Sequence, residues 1–146
     1  MGKIRVLFVC VYNSFRSQIA EKFLNEEFGD HFYAESAGLM TKGINPLAIQ
    51  VMSEIDLDIS KNSSDSVFDF YKQGRLYNHV ITVCSREAEE KCPVFPGIQK
   101  RLNWDLPDPE EFKGTDEEKL EQARQLRDQI RNRVRGFVIE VTHLSK

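Results

Sequence analysis

The sequence has no long hydrophobic run. Its longest uncharged apolar stretch, Val6 to Tyr12, is far too short to span a bilayer, and no signal peptide precedes it, so a soluble cytoplasmic protein without membrane contact is expected. Cysteine is scarce and odd in number: three residues do not suit a structural disulfide framework, and a cytoplasmic setting keeps them reduced, so reactive thiols are the better reading. Excess charge is also missing. A net charge of −3 argues against nucleic acid or an anionic membrane as main partner, because such binding depends on clustered positive charge. The one arginine-rich segment, Arg124 to Arg135, alternates with Gln, Leu and Asp128 at helical spacing and reads as a solvated helix face. Eight glycines, five prolines and no repeat or low-complexity tract leave no linker, so residues 1–146 are expected to form a single domain and act as a monomer.

What the chain does have is Cys10-Val11-Tyr12-Asn13-Ser14-Phe15-Arg16-Ser17, placed between an apolar run and an amphipathic helical pattern. A cysteine at the carboxyl end of a buried strand, just before a helix, sits where backbone N–H groups converge and negative charge is favoured. The residues between Cys10 and Arg16 are enough to wrap a loop around a tetrahedral anion, with the amides of Val11, Tyr12, Asn13, Ser14, Phe15 and Arg16 facing it. A guanidinium adds two parallel donors, which lysine lacks. Arg16, the helix terminus and the Ser17 hydroxyl together predict that Cys10 is a nucleophilic thiolate. The bland alternative, a small buried hydrophobe ending a strand, leaves Asn13, Ser14, Arg16 and Ser17 without a purpose.

Hydrophobic periodicity predicts alternating strands and helices. Lys3 to Cys10, Phe32 to Ala37, His79 to Cys84 and Lys100 to Trp104 read as strands. Ser17 to Phe28, stopped by Gly29, reads as a helix, as does a segment opened by the Asn45-Pro46 cap, with Ala48, Val51, Met52 and Ile55 inward. A short helix is expected from Ser66 to Lys72. Thr115 and Glu118 form a capping box before a long helix whose Leu120, Ala123, Leu126, Ile130, Val134, Phe137 and Val141 face inward. The fold class that follows is α/β, with a small four-stranded parallel sheet flanked by helices on both faces. Ligands of such sheets bind beyond the carboxyl ends of the strands, which is where Cys10 and Cys84 both fall.

Between Cys84 and Cys92 lies an acidic, helix-prone segment that stops at Pro93. If it is helical, its thiols stand roughly 12 Å apart along the axis, whereas a disulfide needs Cα atoms within about 7 Å. A Cys84–Cys92 disulfide is therefore a conformational event. The spacing is not that of a zinc knuckle, and His79 has no ligand pattern around it. Beside a thiolate loop, the pair reads as a redox relay. Displacement at Cys10 also needs a proton for the departing oxygen, and the sequence offers Asp105 and Asp108, the latter held on a stiff loop between Pro107 and Pro109.

The Cys10 loop resembles the Cys-x5-Arg-Ser signature of the low-molecular-weight protein tyrosine phosphatase superfamily. Val6 to Cys10, Asn13-Ser14 and Arg16 to Glu21 look most like its thioredoxin-coupled arsenate reductases, and the resemblance covers nearly the whole chain. It implies a small phosphatase-like fold, with Cys84 and Cys92 at the positions of the shuttle cysteines and Asp108 in the general-acid loop. It further implies that Cys10 attacks arsenate, Cys84 attacks the Cys10 sulfur, and Cys92 takes over the bond for thioredoxin to reduce. Phosphate and sulfate are expected as competing oxyanions. No cofactor is required, but Asn13, Glu21, Ser36 and Asp65 coincide with a potassium site of some such reductases. Three residues depart from the pattern: Tyr12 and Phe15 bear on access to the anion, and Glu110 replaces the tyrosine that phosphatases carry after Asp-Pro. A tyrosine phosphatase is the enzyme alternative. A thiol protein that sequesters arsenite or metal is the non-enzymatic one.

Overall fold

Strand β1, Ile4–Cys10, is buried from Val6 onward and lies at the centre of the molecule. It pairs in parallel with β2, Phe32–Gly38, from Ile4 opposite Phe32 to Cys10 opposite Gly38. On its other side it pairs with β3, His79–Thr82, which pairs with β4, Lys100–Asn103. The computed structural model describes residues 2–97 and 100–144, and these form the expected four-stranded parallel sheet in the order β2-β1-β3-β4. β1 and β3 are thus the central strands, and their carboxyl ends share one rim.

Alternation along β1 divides the core between the two faces of the sheet. Val6, Phe8 and Cys10 pack with α1 (Arg16–Phe28), α2 (Pro46–Ser53) and α5 (Asp116–Leu144). Leu7 and Val9 face the other way, against Val67 and Phe70 of α3 (Val67–Lys72), with Tyr77, Phe95 and Cys92. Both faces are covered, which accounts for the unbroken apolar run of β1. The one-turn helix α4, Arg86–Glu89, and a 3-10 turn, Pro109–Glu111, complete the described elements. Among the described residues no helix is long and apolar enough to cross a membrane.

The caps work as the sequence predicts. The Asn45 side chain accepts from the Leu47 amide at 2.8 Å ahead of Pro46. Thr115 and Glu118 exchange side-chain-to-backbone bonds of 3.1 and 3.0 Å. Some boundaries differ. α2 ends at Ser53, leaving Ile55 outside it, and β3 ends at Thr82, leaving Cys84 in the loop beyond. Gly29 follows α1 with φ of −62°, so that helix stops without a left-handed residue.

The arginines of α5 differ more. They do not form a free solvated stripe, because Glu54, just past the end of α2, and Glu27 of α1 take up four of them, and Arg133 lies over the Trp104 ring. Arg124 grips Glu54 with both Nε and Nη2, while Arg127, only 9% exposed, donates to Glu54 and to the Val51 carbonyl. Arg131 and Arg135 both close on Glu27 at 2.8 Å. Helical spacing alone does not reveal which opposite charges a neighbouring helix brings. Part of the β2 edge is also paired. Asn25 of α1 bonds the Ala34 amide and carbonyl of β2 at 2.8 and 2.9 Å, supplying the partner that an edge strand lacks.

At the start of β3, His79 packs edge-on against Phe137 at 5.0 Å, and its Nδ1 is buried without a partner among the described residues. Burial, and then the Lys100 charge, lower its pKa below the ordinary 6.5. The unfolded chain therefore takes the proton first as pH falls. The stability tied to neutral His79 is fully present above the unfolded value of 6.5 and is lost progressively as pH falls from there through the lower folded-state value. Urea unfolding at about pH 7.5 and about pH 5.5 should show a clear loss of stability in the wild type and a smaller loss in His79→Leu.

Candidate active site

The loop from Cys10 to Arg16 is built on Asn13, which is fully buried and has a φ of 53°. Asparagine tolerates this left-handed geometry, which most side chains avoid. Its Nδ2 donates to Ser17 Oγ at 2.8 Å, and its Oδ1 accepts from the Asp65 amide at 2.8 Å and Gln18 Nε2 at 3.1 Å. Its backbone carbonyl accepts from Ser64 Oγ and Gln18 Nε2. Gly38 lets β2 pass close behind: a Cβ there would stand 2.7 Å from the Asn13 nitrogen and 2.5 Å from the Met40 carbonyl. Backbone bonds from Leu39 to Cys10, Met40 to Val11 and Asn45 to Ser14 complete the support.

Two donors meet at the Cys10 sulfur. The Asn13 amide is 3.1 Å away and Ser17 Oγ 2.9 Å. Because Ser17 Oγ already accepts from Asn13 Nδ2, its own proton is free for the sulfur. Helix α1 starts at Arg16, and Phe15 supplies no side-chain cap, so the amides of the first turn stay open towards the loop. The Arg16 guanidinium is buried. It donates to the Leu106 carbonyl at 3.3 Å and lies 3.9 Å from Asp108 Oδ1. Asp108 caps the 3-10 turn by accepting from the Glu110 amide at 3.0 Å, and it borders the cavity over Cys10. Asp105 borders the larger cavity on the Cys84 side.

The structure brings Cys10, Asn13, Arg16, Ser17, Cys84 and Asp108 onto one rim. Val11, Tyr12, Ser14 and Phe15 complete the loop, with Phe15 buried edge-on against Phe112. All three cysteines are free and buried. The Cys84 thiol is pushed up to about 12, first by burial and then by the Cys10 charge, with Arg16 opposing and Cys92 and Glu89 adding. Cys92 belongs to the cluster on the opposite sheet face. Burial pushes its thiol up to about 11, with Arg101 opposing and Glu89 adding. The segment between these cysteines is lightly held: α4 buries no residue, and Thr82 Oγ1 donates to Glu89 at 2.8 Å.

Of the four residues expected at a cation site, Glu21, Ser36 and Asp65 line a polar cavity of about 280 Å³. Burial pushes the Glu21 carboxyl up to about 7; bonds from Ser36 oppose this, and Glu35 and Asp65 add to it. Hard oxygens around an anionic group fit a hard cation. Asn13 fits less well, because its Oδ1 already accepts two N–H donors. Among the described residues no three or more His, Cys, Asp or Glu are gathered to hold a metal ion.

Gln18 was missed by sequence reasoning. It is buried, and its amide links Asn13, Ser63 and Asn62. A polar residue on the inward face of a helix is the signal that points to it. Asn13→Ala would leave the buried Asp65 amide without its acceptor, take the Nδ2 donor from Ser17 and put alanine at positive φ, so a loss of about 3 kcal/mol is expected in urea unfolding. Asn13→Gly should recover only the backbone part, about 1 kcal/mol.

Comparison with known proteins agrees with this geometry. The model of the low molecular weight phosphotyrosine protein phosphatase family matches residues 5–146. An arsenate reductase of Halalkalibacterium halodurans is 38% identical over 137 residues, 94% of this chain and 96% of the relative. The arsenate reductase of Bacillus subtilis is 38% identical over 90% of this chain and 93% of its own. Among solved structures, an arsenate reductase in its oxidized state superposes with a TM-score of 0.76 at 31% identity, covering 94% of this chain and 98% of that one. A thioredoxin-dependent arsenate reductase of Corynebacterium glutamicum superposes with a TM-score of 0.73 at 28% identity, over 99% of this chain and 64% of that one. With its loop, rim cysteines and sheet order in place, the chain belongs to the low molecular weight phosphotyrosine protein phosphatase family.

Proposed function

We propose that this chain reduces arsenate to arsenite through a three-cysteine relay that thioredoxin regenerates. The observation that carries the reading is a second free, buried thiol, Cys84, which packs in the same core cluster as Cys10 and borders one cavity with Arg16 and Asp108. A phosphatase working through a phosphoryl-cysteine has no use for that thiol. The relatives named as arsenate reductases, matched over nearly their whole length, support the same reaction. The thioredoxin-dependent neighbour supports the reductant.

In this reading the Cys10 thiolate attacks arsenic(V), while the loop amides and Arg16 hold the other oxygens. Asp108 gives a proton to the departing oxygen, which leaves as water. Cys84 then loses its proton and attacks the Cys10 sulfur. The electron pair of the S–As bond passes to arsenic, arsenite(III) departs, and a Cys10–Cys84 disulfide remains. Cys92 attacks Cys84 and frees Cys10, and the Cys84–Cys92 disulfide goes to thioredoxin. Cys92 starts on the opposite sheet face, so the α4 segment has to leave its Thr82 tether for this exchange. A potassium ion held by Glu21, Ser36 and Asp65 would brace the loop through the Asp65–Asn13 bond, and the chemistry needs no further cofactor.

NADPH consumption with arsenate, thioredoxin and thioredoxin reductase tests the relay. Sustained turnover is expected in the wild type and a stall after one equivalent in Cys92→Ser. Absence of arsenate-dependent consumption, with p-nitrophenyl phosphate hydrolysis indifferent to Cys92, would instead establish the phosphatase reading. Asp108→Asn should lower the reduction rate by about a hundred-fold while phosphate binding changes little. An unchanged rate would remove Asp108 from the mechanism.

A further inference from the structure

Tyr12 and Glu110 both border the cavity over Cys10, one from the loop after β1 and the other from the turn after Asp108. Lys42, in the loop after β2, joins them. Its Nζ pairs with the Glu110 carboxylate and stands 4.9 Å from the centre of the Tyr12 ring. The hydrogen bond to Glu110, followed by the Coulombic pull of Glu110, Tyr12 and Asp108, raises the Lys42 pKa despite slight desolvation. Three chain segments are thus fastened at the outer edge of the anion loop.

The enclosed space is small. The cavity has a volume of about 10 Å³, close to the smallest that holds one water. A bare tetrahedral oxyanion places all its oxygens among the loop donors, whereas an ester must lead its substituent out of the site. The wide cavity on the other side, about 460 Å³, is bordered by Cys84, Arg16 and Asp108. In the proposed relay that side has to stay free for Cys84 to reach the Cys10 sulfur. The Tyr12–Glu110 side offers a separate way out, and Lys42 ties its two walls together.

We propose that Lys42 clips Tyr12 to Glu110 and thereby selects bare tetrahedral oxyanions over their monoesters. This inference deepens the proposed function and rests on the reading of the Cys10 loop as an oxyanion site. The Lys42 and Glu110 side chains are 53% and 47% exposed, so the ion pair alone is a modest hold. The aromatic contact adds a second hold on the ammonium. Glu110, the residue that departs from the phosphatase pattern, provides a charged acceptor where a tyrosine hydroxyl would offer only a neutral one.

The test is protection of Cys10 against iodoacetamide, read from the mass of the Cys10 peptide, with inorganic phosphate and phenyl phosphate as probes. In the wild type, phosphate should protect at much lower concentration than phenyl phosphate. Lys42→Ala and Glu110→Gln should each shift this preference towards the ester by about ten-fold, equivalent to about 1.4 kcal/mol. Lys42→Arg, which keeps both contacts, should retain the wild-type preference. An unchanged preference in both clip-breaking variants overturns the proposal, as does failure of phosphate to protect the wild type. Arsenate-dependent NADPH consumption is measured separately. Its absence beside a shifted preference would sink the reductase reading and leave the clip standing.

Discussion

The buried amide of Asn13 is the tie on which the rest of the site depends. It reaches Ser17 on α1, Gln18 one residue further on, and the Asp65 backbone ahead of α3. Through Ser17 it also directs a proton towards Cys10. The Asp65 carbonyl in turn accepts from the Gly38 amide at 2.8 Å, so the end of β2 is fixed to the same knot. Gly38 cannot be enlarged and Asn13 cannot leave its left-handed geometry without displacing the loop. The sulfur, its donors and the start of α1 are therefore preorganised, and an anion entering the loop meets donors already aimed at it.

The sheet separates what the loop gathers. Cys10 and Cys84 share one face, while Cys92 packs with Tyr77 and Phe95 on the other. This division protects the resting protein. A thiol pushed up to about 11 or 12 has little thiolate at neutral pH, and thiolate is the form that reacts with oxidants and disulfides. Glu89 contributes to both shifts and also anchors α4 to β3. One carboxylate thus holds the segment in place and helps keep the cysteines at its two ends protonated.

Local physics made much of this legible in the sequence. Cys10 through Ser17 follows a buried strand and opens a helix, so loop, thiol and arginine could be placed from spacing alone. The capping box of Thr115 and Glu118 and the unbroken apolar run of β1 likewise act over a few residues. What was not legible depends on distant partners. Glu54 and Glu27 are far in sequence from the arginines they receive, and Lys42 is as far from Glu110. The face taken by Cys92 follows from the path of a loop rather than from a period. Gln18 stood on a helical face read for its hydrophobes, and its polar character is explained only by the loop packed against it.

The geometry also bears on the direction of the proposed relay. In a Cys10–Cys84 disulfide, Cys92 has two sulfurs to attack, and the better leaving group is the sulfur whose anion is better accommodated. If Cys84 were expelled, it would carry its charge in a buried site where its thiol is pushed up to about 12. If Cys10 is expelled, its sulfur returns to the Asn13 amide and the Ser17 hydroxyl, both already within hydrogen-bond distance. Attack at Cys84 with release of Cys10 is therefore the favoured exchange. The loop that stabilises the anion for the first step also receives it at the last, so the nucleophile is restored where the next oxyanion binds.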